Sequence, residues 1–371
     1  MNCQGTEFGF HSDGVLCVNN QKGRPDWGYK TSDDVEFDFC RELIKCYNER
    51  FGRFDYEEFY DFLLEAKLKH EQWVDEVAQP FLEPYDTKTS ELLRNLVNIY
   101  SQMVMFYLVD KEGIGWYDNA PHTGGPIFPG YTGILNCLKV LGENYVVNVH
   151  TLNHDLFFER LDKSDWIAGE LCDGFEELGS PYYGMLQTEN ASYKVRLQHY
   201  TGKYNKKFRI YKLHGSRDYG LYYGALGSTL YPQNYIKSKP GVGFGDFYKE
   251  IQKEDGSYYY ENCWVNYHAD FLTGTTSKIE RYKEPLLFKV LFVHFIENLK
   301  AAEKLIIIGY GGKDSEINKM LVEHFNHFNK PTFIIDPFAG EHVEKLRGTL
   351  NAKLIKKNLE DIELQDIEIG K

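Results

Sequence analysis

The amino-acid sequence predicts an α/β fold in which a doubly wound, mainly parallel sheet carries helical insertions and no zinc ribbon. Two observations support this class. Four short apolar runs have the pattern of strands, and each ends in a cluster of polar residues or glycines. Segments with helical periodicity lie before and between these runs. The chain has 371 residues, 42% of them hydrophobic, and no linker divides it, so residues 1–371 are expected to form a single domain.

Charge and cysteine content exclude several classes of protein. Lys and Arg number 42 against 55 for Asp and Glu, and this net charge of -13 opposes binding to nucleic-acid phosphates. The seven cysteines include no Cys-x-x-Cys pair, so neither a zinc site nor a disulfide framework is predicted, and no other metal is expected. No apolar run is long enough to cross a bilayer, and the amino terminus does not resemble a secretion signal. We therefore expect a cytoplasmic protein without a membrane partner.

The first third of the chain is predicted to be a helical insertion, over residues 35–130. Within it, helical periodicity is strongest at 35–51, 56–78 and 90–109. A loop rich in Pro and Gly then ends the helical block, before a further apolar helix at about 131–141. The strand motifs occupy residues 131–371, with a variable insert at about 218–285.

The first two strand motifs deliver polar side chains to one predicted sheet edge. Residues 145–150 are mostly apolar and run directly into Thr151-Leu152-Asn153-His154-Asp155. Residues 207–213 alternate as a strand and lead to His214 and Gly215. Because ligands of open parallel sheets bind at the carboxyl ends of the strands, these residues are candidates for a binding site.

The remaining two strand motifs suggest a nucleotide site of the Rossmann-like kind. Residues 304–308 end in Gly309-Tyr310-Gly311-Gly312, and a helix begins near Asp314. Glycines let a phosphate approach the backbone, and the amino terminus of the helix favours its negative charge. The fourth strand, at 332–335, ends at Asp336, where such folds place a residue that contacts the adenosine ribose.

Each of these residues also has a purely structural interpretation. Asn153 and Asp314 are suitable helix caps, and Asp155 is an acid in a first helical turn. An isolated histidine at a strand end, such as His214, is more often a core residue bonded to backbone, and Asp336 suits a plain turn. The combination and order of the motifs favour the functional interpretation over these alternatives.

The same residues resemble a known family. The segment from Thr151 to Asp155 resembles the Thr-x-Asn-x-Asp motif of sirtuins and their bacterial relatives, and Leu213-His214-Gly215 resembles the His-Gly motif that carries their catalytic histidine. Residues 307–318 are similar to the Gly-Tyr-Ser-x-x-Asp-x-x-Ile-Asn turn of sirtuin-like proteins in bacterial defence systems. The resemblance runs from about Tyr145 to the carboxyl terminus.

The resemblance implies NAD as the substrate and assigns roles to these positions. Asn153 would position the ribose and the attacking water, Asp155 would bind the nicotinamide amide, and His214 would act as general base or orient a ribose hydroxyl. The implied cofactor-binding residues are Thr151, Gly215, Gly309, Tyr310, Gly311, Asp314, Asn318 and Asp336.

The sequence departs from the family pattern in two places. Zinc-binding sirtuins carry paired Cys-x-x-Cys motifs after the His-Gly strand, where this chain has only Cys263. The family also begins with an apolar strand leading into Gly-Ala-Gly-x-Ser, which holds the NAD pyrophosphate; this sequence opens without either, and Gly5, Gly9, Ser12 and Gly14 do not replace them. Two explanations of the second departure stay open: an amino-terminal truncation, which the otherwise intact site motifs favour, or a degenerate loop with weakened binding.

Three functions remain as hypotheses. The resemblance to the zinc-free branch favours a NAD glycohydrolase that depletes NAD in anti-phage defence. A NAD-dependent deacylase or ADP-ribosyltransferase is the second, and a non-catalytic nucleotide-binding sensor or scaffold, favoured by the missing glycine loop, is the third. The trigger is expected to come from a protein activator or from homo-oligomer formation.

Overall fold

The computed structural model describes residues 31–69, 71–82, 89–107, 128, 130–187, 191–226, 229–239, 242–243, 247–265, 269–272 and 281–368. Over these residues the protein is a mixed α/β structure with parallel and antiparallel sheets. The described helices are α1 (Thr31–Phe51), α2 (Tyr56–Lys69), α3 (Gln72–Leu82), α4 (Thr89–Tyr107), α5 (Thr132–Asn144), α6 (Phe157–Leu161), α7 (Phe288–Ala301), α8 (Ser315–His324) and α9 (Glu341–Thr349).

Six of the described strands form two parallel sheets of three strands each. The first has the order β1-β7-β2, and the second has the order β13-β14-β15. Their bounds are β1 (Val147–Thr151), β2 (Leu171–Cys172), β7 (Phe208–Lys212), β13 (Leu305–Ile308), β14 (Thr332–Ile335) and β15 (Lys353–Ile355). The four strands predicted from apolar runs are confirmed as β1, β7, β13 and β14; the bounds of β14 agree, and the ends of the other three differ by at most two residues.

The other nine described strands form two antiparallel sheets, with the orders β12-β8-β9-β6-β3 and β11-β10-β4-β5. Their bounds are β3 (Gly174–Glu176), β4 (Tyr182–Gln187), β5 (Ser192–Arg196), β6 (Gln198–Lys203), β8 (Tyr219–Leu226), β9 (Thr229–Lys237), β10 (Phe247–Gln252), β11 (Tyr258–Asn262) and β12 (Trp264–Val265).

The prediction of a mainly parallel sheet is therefore met only in part, and a doubly wound arrangement is not confirmed. The antiparallel strands come from two segments, residues 174–203 and 219–265, whereas the sequence indicated one variable insert at about 218–285. Successive strands in both segments are separated by few residues, which favours hairpins. For example, β9 begins three residues after β8 ends. Antiparallel neighbours can be joined by such short connections, which parallel strands cannot use.

Helices α1 to α4 pack around a core of their own. Its centre includes the fully buried Phe39, Leu43 and Tyr100, and the ring of Tyr100 lies edge-on to Phe59 at 5.0 Å between centroids. The helices predicted at 35–51 and 90–109 are observed as α1 and α4, but the helix predicted at 56–78 is divided into α2 and α3. Phe271 is buried in the same helical core.

Helices cover both faces of the parallel sheets. On one face, Ile134, Leu135 and Phe157 from α5 and α6 pack with strand residues such as Ile210 and Ile335. On the other face, the core is formed by α7, α8 and α9 with the opposite sides of the strands, through the residues Tyr211, Leu291, Phe295, Ile307, Ile317, Ile334 and Leu346. Burial on both faces explains why these strands read as apolar runs. Over the described residues, no helix has the length and apolarity needed to span a membrane.

Candidate functional site

The carboxyl ends of β1, β7 and β13 border one cleft. Parallel pairing places Thr151 opposite Lys212, so the residues that follow β1 and β7 emerge at the same edge. The glycine turn that follows β13 lies across the cleft from them. The cleft has a volume of about 1560 Å³. Because ligand pockets usually occupy roughly 300–1,000 Å³, it is larger than one small ligand requires.

His214 lies buried in this cleft, with 4% of its surface exposed. Its Nε2 lies 3.3 Å from Tyr282 Oη and 4.0 Å from a carboxylate oxygen of Asp314. Tyr282 Oη in turn donates to Asp314 Oδ2 at 3.4 Å. The backbone is also held, because Leu272 N donates to the carbonyl of His214 at 2.7 Å. Contacts from two other parts of the chain therefore orient this imidazole.

Gly215 is required by its backbone conformation and by its surroundings. Its φ is +80°, and residues that have a Cβ rarely adopt this backbone conformation. A Cβ at this position would lie 2.7 Å from the carbonyl oxygen of Asp270 and 2.9 Å from Cα of Phe271. Gly215 forms an isolated β-bridge with Phe271, which is what brings that segment against the histidine. Gly215 does not line the cleft; it supports the site by allowing the close approach of Asp270 and Phe271.

The turn after β1 is stabilised by its own side chains. Thr151 Oγ1 accepts a hydrogen bond from Asn153 N at 3.0 Å, and Asp155 Oδ1 accepts one from Phe157 N at 2.9 Å. The sequence offered Asn153 as a helix cap and Asp155 as an acid in a first helical turn. In the structure α6 begins at Phe157 with Leu156 as its N-cap, and Asp155 lies just before the helix, where its carboxylate accepts from the first helical amide. Burial raises the pKa of Asp155 above its ordinary value, against the opposing charge of Lys212. Thr151, Asn153 and Asp155 all line the cleft.

A buried cluster of charges supports this turn. Lys212 Nζ bonds to Ser216 Oγ and Glu159 Oε1, each at 2.9 Å, and to the carbonyl oxygen of Asp155. Glu159 also pairs with Lys237. Burial alone would raise the pKa of Glu159, but the two ammonium groups outweigh it and lower the pKa to about 2. The cluster ties β7 to α6 directly beneath the turn that follows β1.

Lys237 extends the cluster with two further carboxylates. It pairs with Asp173 and, at 3.7 Å, with Asp218. Burial would lower the pKa of Lys237, but its three carboxylate partners raise it well above the ordinary value. The cluster therefore joins the antiparallel strand β9 to the parallel part of the fold.

The glycine turn after β13 has the backbone geometry that the sequence predicted. Gly309 and Gly312 have φ values of +57° and +71°. At Gly311, a Cβ would meet no atom within 4 Å, so its surroundings are open. Asp314 Oδ1 accepts from the backbone amides of Glu316 and Ile317, both at 3.1 Å, and so caps α8. Gly309, Tyr310, Gly311 and Asp314 line the cleft.

Two of the residues predicted to bind the cofactor, Asn318 and Asp336, form hydrogen bonds within turns. Asn318 Nδ2 donates to the carbonyl of Gly312 at 2.7 Å, and Asn318 Oδ1 lies 3.0 Å from Tyr310 Oη. Asp336 Oδ1 accepts from the backbone amides of the residues two and three positions later, at 2.8 and 2.9 Å. Neither Asn318 nor Asp336 lines the cleft. The cleft thus brings together eight of the eleven predicted residues; the other three are Gly215, Asn318 and Asp336.

Sequence reasoning missed Tyr282, the residue that joins His214 to Asp314. Burial, followed by the charge of Asp314, raises the pKa of Tyr282 far above its ordinary value, so its hydroxyl stays protonated. No local pattern marks Tyr282, since it is one of 28 tyrosines and its importance comes from the position of its ring beside His214. Lys313, a second residue that was not predicted, adds a cation to the cleft lining beside the glycine turn.

The chemistry available in the cleft is that of polar side chains and backbone. An imidazole can take up or release a proton near neutral pH, and the hydroxyl and carboxylate beside it fix its orientation. The glycine turn and Lys313 favour an anion in their part of the cleft, whereas the first amides of α8 are already bonded to the carboxylate of Asp314. Within the described ranges, no group of three or more His, Cys, Asp or Glu side chains is arranged to hold a metal ion.

No model of a known protein family matches the chain, and no curated protein matches it.

Proposed function

We propose that the chain is a sirtuin-like NAD glycohydrolase that cleaves the nicotinamide–ribose bond and acts in bacterial anti-phage defence. The observation that carries the proposal is the shared cleft. The turn from Thr151 to Asp155, the histidine at 214 and the glycine turn from Gly309 lie far apart in the sequence, yet all three line it. We also propose that the two parallel sheets are parts of one Rossmann-like, doubly wound arrangement, which the helices on both faces support.

The substrate's own pyridinium ring is the leaving group, so the protein does not need to supply an electrophile. When the nicotinamide–ribose bond breaks, its electron pair neutralises the pyridinium nitrogen, and positive charge develops on the ribose carbon. Water then forms the new bond to that carbon and loses a proton, giving ADP-ribose and nicotinamide. His214 would accept this proton or hold a ribose hydroxyl, while Asn153 would position the water. The carboxylates lining the cleft favour the developing positive charge.

The two sides of the cleft suit the two halves of the dinucleotide. Asp155 lines the cleft with His214, and in this proposal its carboxylate accepts from the carboxamide. The glycine turn and Lys313 suit the phosphates, because glycine lets phosphate oxygens approach the backbone and the cation balances their charge. Tyr282 is a positioning residue in this scheme, because it acts on the substrate only through His214 and Asp314.

The test is incubation of the purified protein with NAD and chromatographic measurement of nicotinamide and ADP-ribose. We expect both products in equal amounts, and loss of at least about a hundredfold of the rate in His214→Ala, as for removal of a general base. His342→Ala is the matched control, because His342 is an exposed histidine on α9, and it should keep full activity.

The alternatives give different products. A deacylase or ADP-ribosyltransferase releases nicotinamide only when an acylated or acceptor protein is added, and ADP-ribose then appears on the acceptor. A sensor or scaffold binds NAD without turnover, and His214→Ala leaves both properties unchanged. Absence of nicotinamide release under every condition, including with cell lysate as a source of an activator, would refute the glycohydrolase.

A further inference from the structure

Arg281 is a partly buried cation that uses all three nitrogens of its side chain without lining the cleft. Its Nη1 donates to the carbonyl oxygen of Phe271 at 3.1 Å, and its Nη2 donates to the carboxylate of Asp270 at 2.9 Å. Its Nε donates to Glu284 at 3.0 Å. A planar guanidinium offers these donors in a fixed fork, which a lysine cannot reproduce. Arg281 therefore fixes the chain at residues 270 and 271 relative to its own backbone.

The segment that Arg281 holds is the one that carries the backbone of His214. Leu272 N donates to the carbonyl of His214 at 2.7 Å. Gly215, the next residue after the histidine, forms its β-bridge with Phe271. Residues 270–272 are buried, with 6%, 4% and 0% of their surface exposed, so the contact has little room to shift.

Tyr282 directly follows Arg281 and contacts the other side of the histidine. Its Oη lies 3.3 Å from His214 Nε2 and donates to Asp314 Oδ2 at 3.4 Å. Tyr282 has one hydroxyl hydrogen, and this hydrogen is directed to Asp314. His214 Nε2 must therefore supply the hydrogen that lies between it and the hydroxyl. The contact favours the imidazole tautomer with its hydrogen on Nε2.

Both sets of contacts with His214 thus begin at Arg281. Burial would lower the pKa of Arg281, but Asp270 and Glu284 raise it above the ordinary value, so the guanidinium stays charged. Its Cζ also lies 5.2 Å from the centre of the Phe288 ring, on the first residue of α7. The side chain is held on several sides, as a residue that orients others must be.

We propose that Arg281 is a positioning residue for the glycohydrolase reaction, which sets the orientation and tautomer of the His214 imidazole through residues 270–272 on one side and through Tyr282 on the other. The inference rests on the proposed function, because it concerns the histidine that would accept a proton or hold a ribose hydroxyl. Arg281 does not line the cleft, so it acts on bond cleavage and not on the binding of NAD.

The kinetic test replaces the fork and keeps the charge. In Arg281→Lys, kcat for nicotinamide release should fall at least about tenfold while KM changes less than about twofold, because a misplaced reacting group slows the reaction more than it weakens binding. Arg196→Lys is the matched control. Arg196 also donates to a carbonyl oxygen, that of Ser180 at 2.6 Å, and lies 4.9 Å from the ring of Tyr183, outside the cleft. Its replacement should leave both constants within about twofold.

A spectroscopic test needs no substrate. The whole chain is labelled with ¹⁵N-histidine, and the ring signals of His214 are identified by their loss in His214→Gln. Above the pH at which the imidazole titrates, the unmodified protein should show the hydrogen on Nε2. Arg281→Lys should show a mixture of the two tautomers, because its Tyr282 hydroxyl is no longer held beside the ring. Arg196→Lys should match the unmodified protein.

A milder variant decides the question if Arg281→Lys does not fold. Glu284→Gln removes the charge that holds Arg281 Nε and leaves the bonds to residues 270 and 271 in place. Glu284 is partly exposed, so the fold tolerates the change. We expect the same mixture of tautomers in smaller proportion and a fall in kcat of about threefold, since a neutral partner bonds a cation more weakly than a carboxylate does.

The opposing results are distinct. A rise in KM with unchanged kcat would assign Arg281 to substrate binding, and unchanged kcat with an unchanged tautomer would reduce it to a support of the fold. A fall in kcat without a change of tautomer would show that Arg281 acts by another route. Each of these overturns the proposal. An unmodified protein that releases no nicotinamide would instead refute the glycohydrolase, and the tautomer comparison would still decide whether Arg281 orients His214.

Discussion

Substitution of Gly215 by Ala separates two costs that the structure predicts at this position. The positive φ of +80° costs about 1–2 kcal/mol for a residue with a Cβ. The new Cβ would also lie 2.7 Å from a backbone oxygen of Asp270. That oxygen cannot move aside easily, because the Asp270 side chain is held by Tyr235 Oη at 2.6 Å and by Arg281 at 2.9 Å. Forcing the contact adds about 1–3 kcal/mol, so the total is about 2–5 kcal/mol.

Gly169 provides the matched control for this prediction. Its φ is also +80°, but a Cβ there would meet no atom within 4 Å. Gly169→Ala should therefore cost only the backbone term, about 1–2 kcal/mol. The assay is urea unfolding followed by circular dichroism, with both variants compared with the unmodified protein. If Gly215→Ala destabilises the protein no more than Gly169→Ala does, the close approach of the Asp270 segment is refuted.

Three further predictions concern buried groups. Lys237→Met leaves three carboxylates without their shared cation and should lower the free energy of unfolding by about 3–5 kcal/mol, measured in urea, whereas no loss would contradict the buried cluster. Burial, aided by a neighbouring histidine, lowers the pKa of His150 to about 3, so the unfolded chain takes up the proton first and stability falls between pH 6.5 and 3 by roughly 1.4 kcal/mol per pH unit. His150→Phe should remove this part of the slope in unfolding curves recorded across that range, and an unchanged slope would refute the assignment. Tyr282→Phe removes the hydroxyl between His214 and Asp314 and should lower kcat for nicotinamide release about tenfold with little change in KM, whereas an unchanged kcat would exclude the positioning role.

The parallel strands could be predicted because they are buried, and buried strands consist of short apolar runs that are visible in the sequence. Residues 332–335 are β14 with the bounds that the apolar run indicated, and Asp314 caps a helix where the sequence suggested a cap. The antiparallel sheets were not predicted. Their strands, such as β8 with three tyrosines and two glycines, combine aromatic and small residues in a way that also suits a core or an interface.

Only those candidate site residues that directly follow a recognisable strand could be predicted from the sequence. His214 and Asn153 follow strands that could be recognised, and parallel pairing brings both to one edge. Tyr282 reaches His214 from a distant segment, and such contacts have no local periodicity. Asn318 shows a different difficulty. Its side-chain amide could donate to a ligand or to the carbonyl of Gly312, and the bond to Gly312 is visible only in the folded structure.

The short segment around Phe271 has a mechanical consequence. Phe271 belongs to the core of α1 to α4, and the next residue, Leu272, holds the backbone of His214. A displacement of α1 to α4 that moves Phe271 would therefore reach the backbone of His214 through the single peptide unit between Phe271 and Leu272.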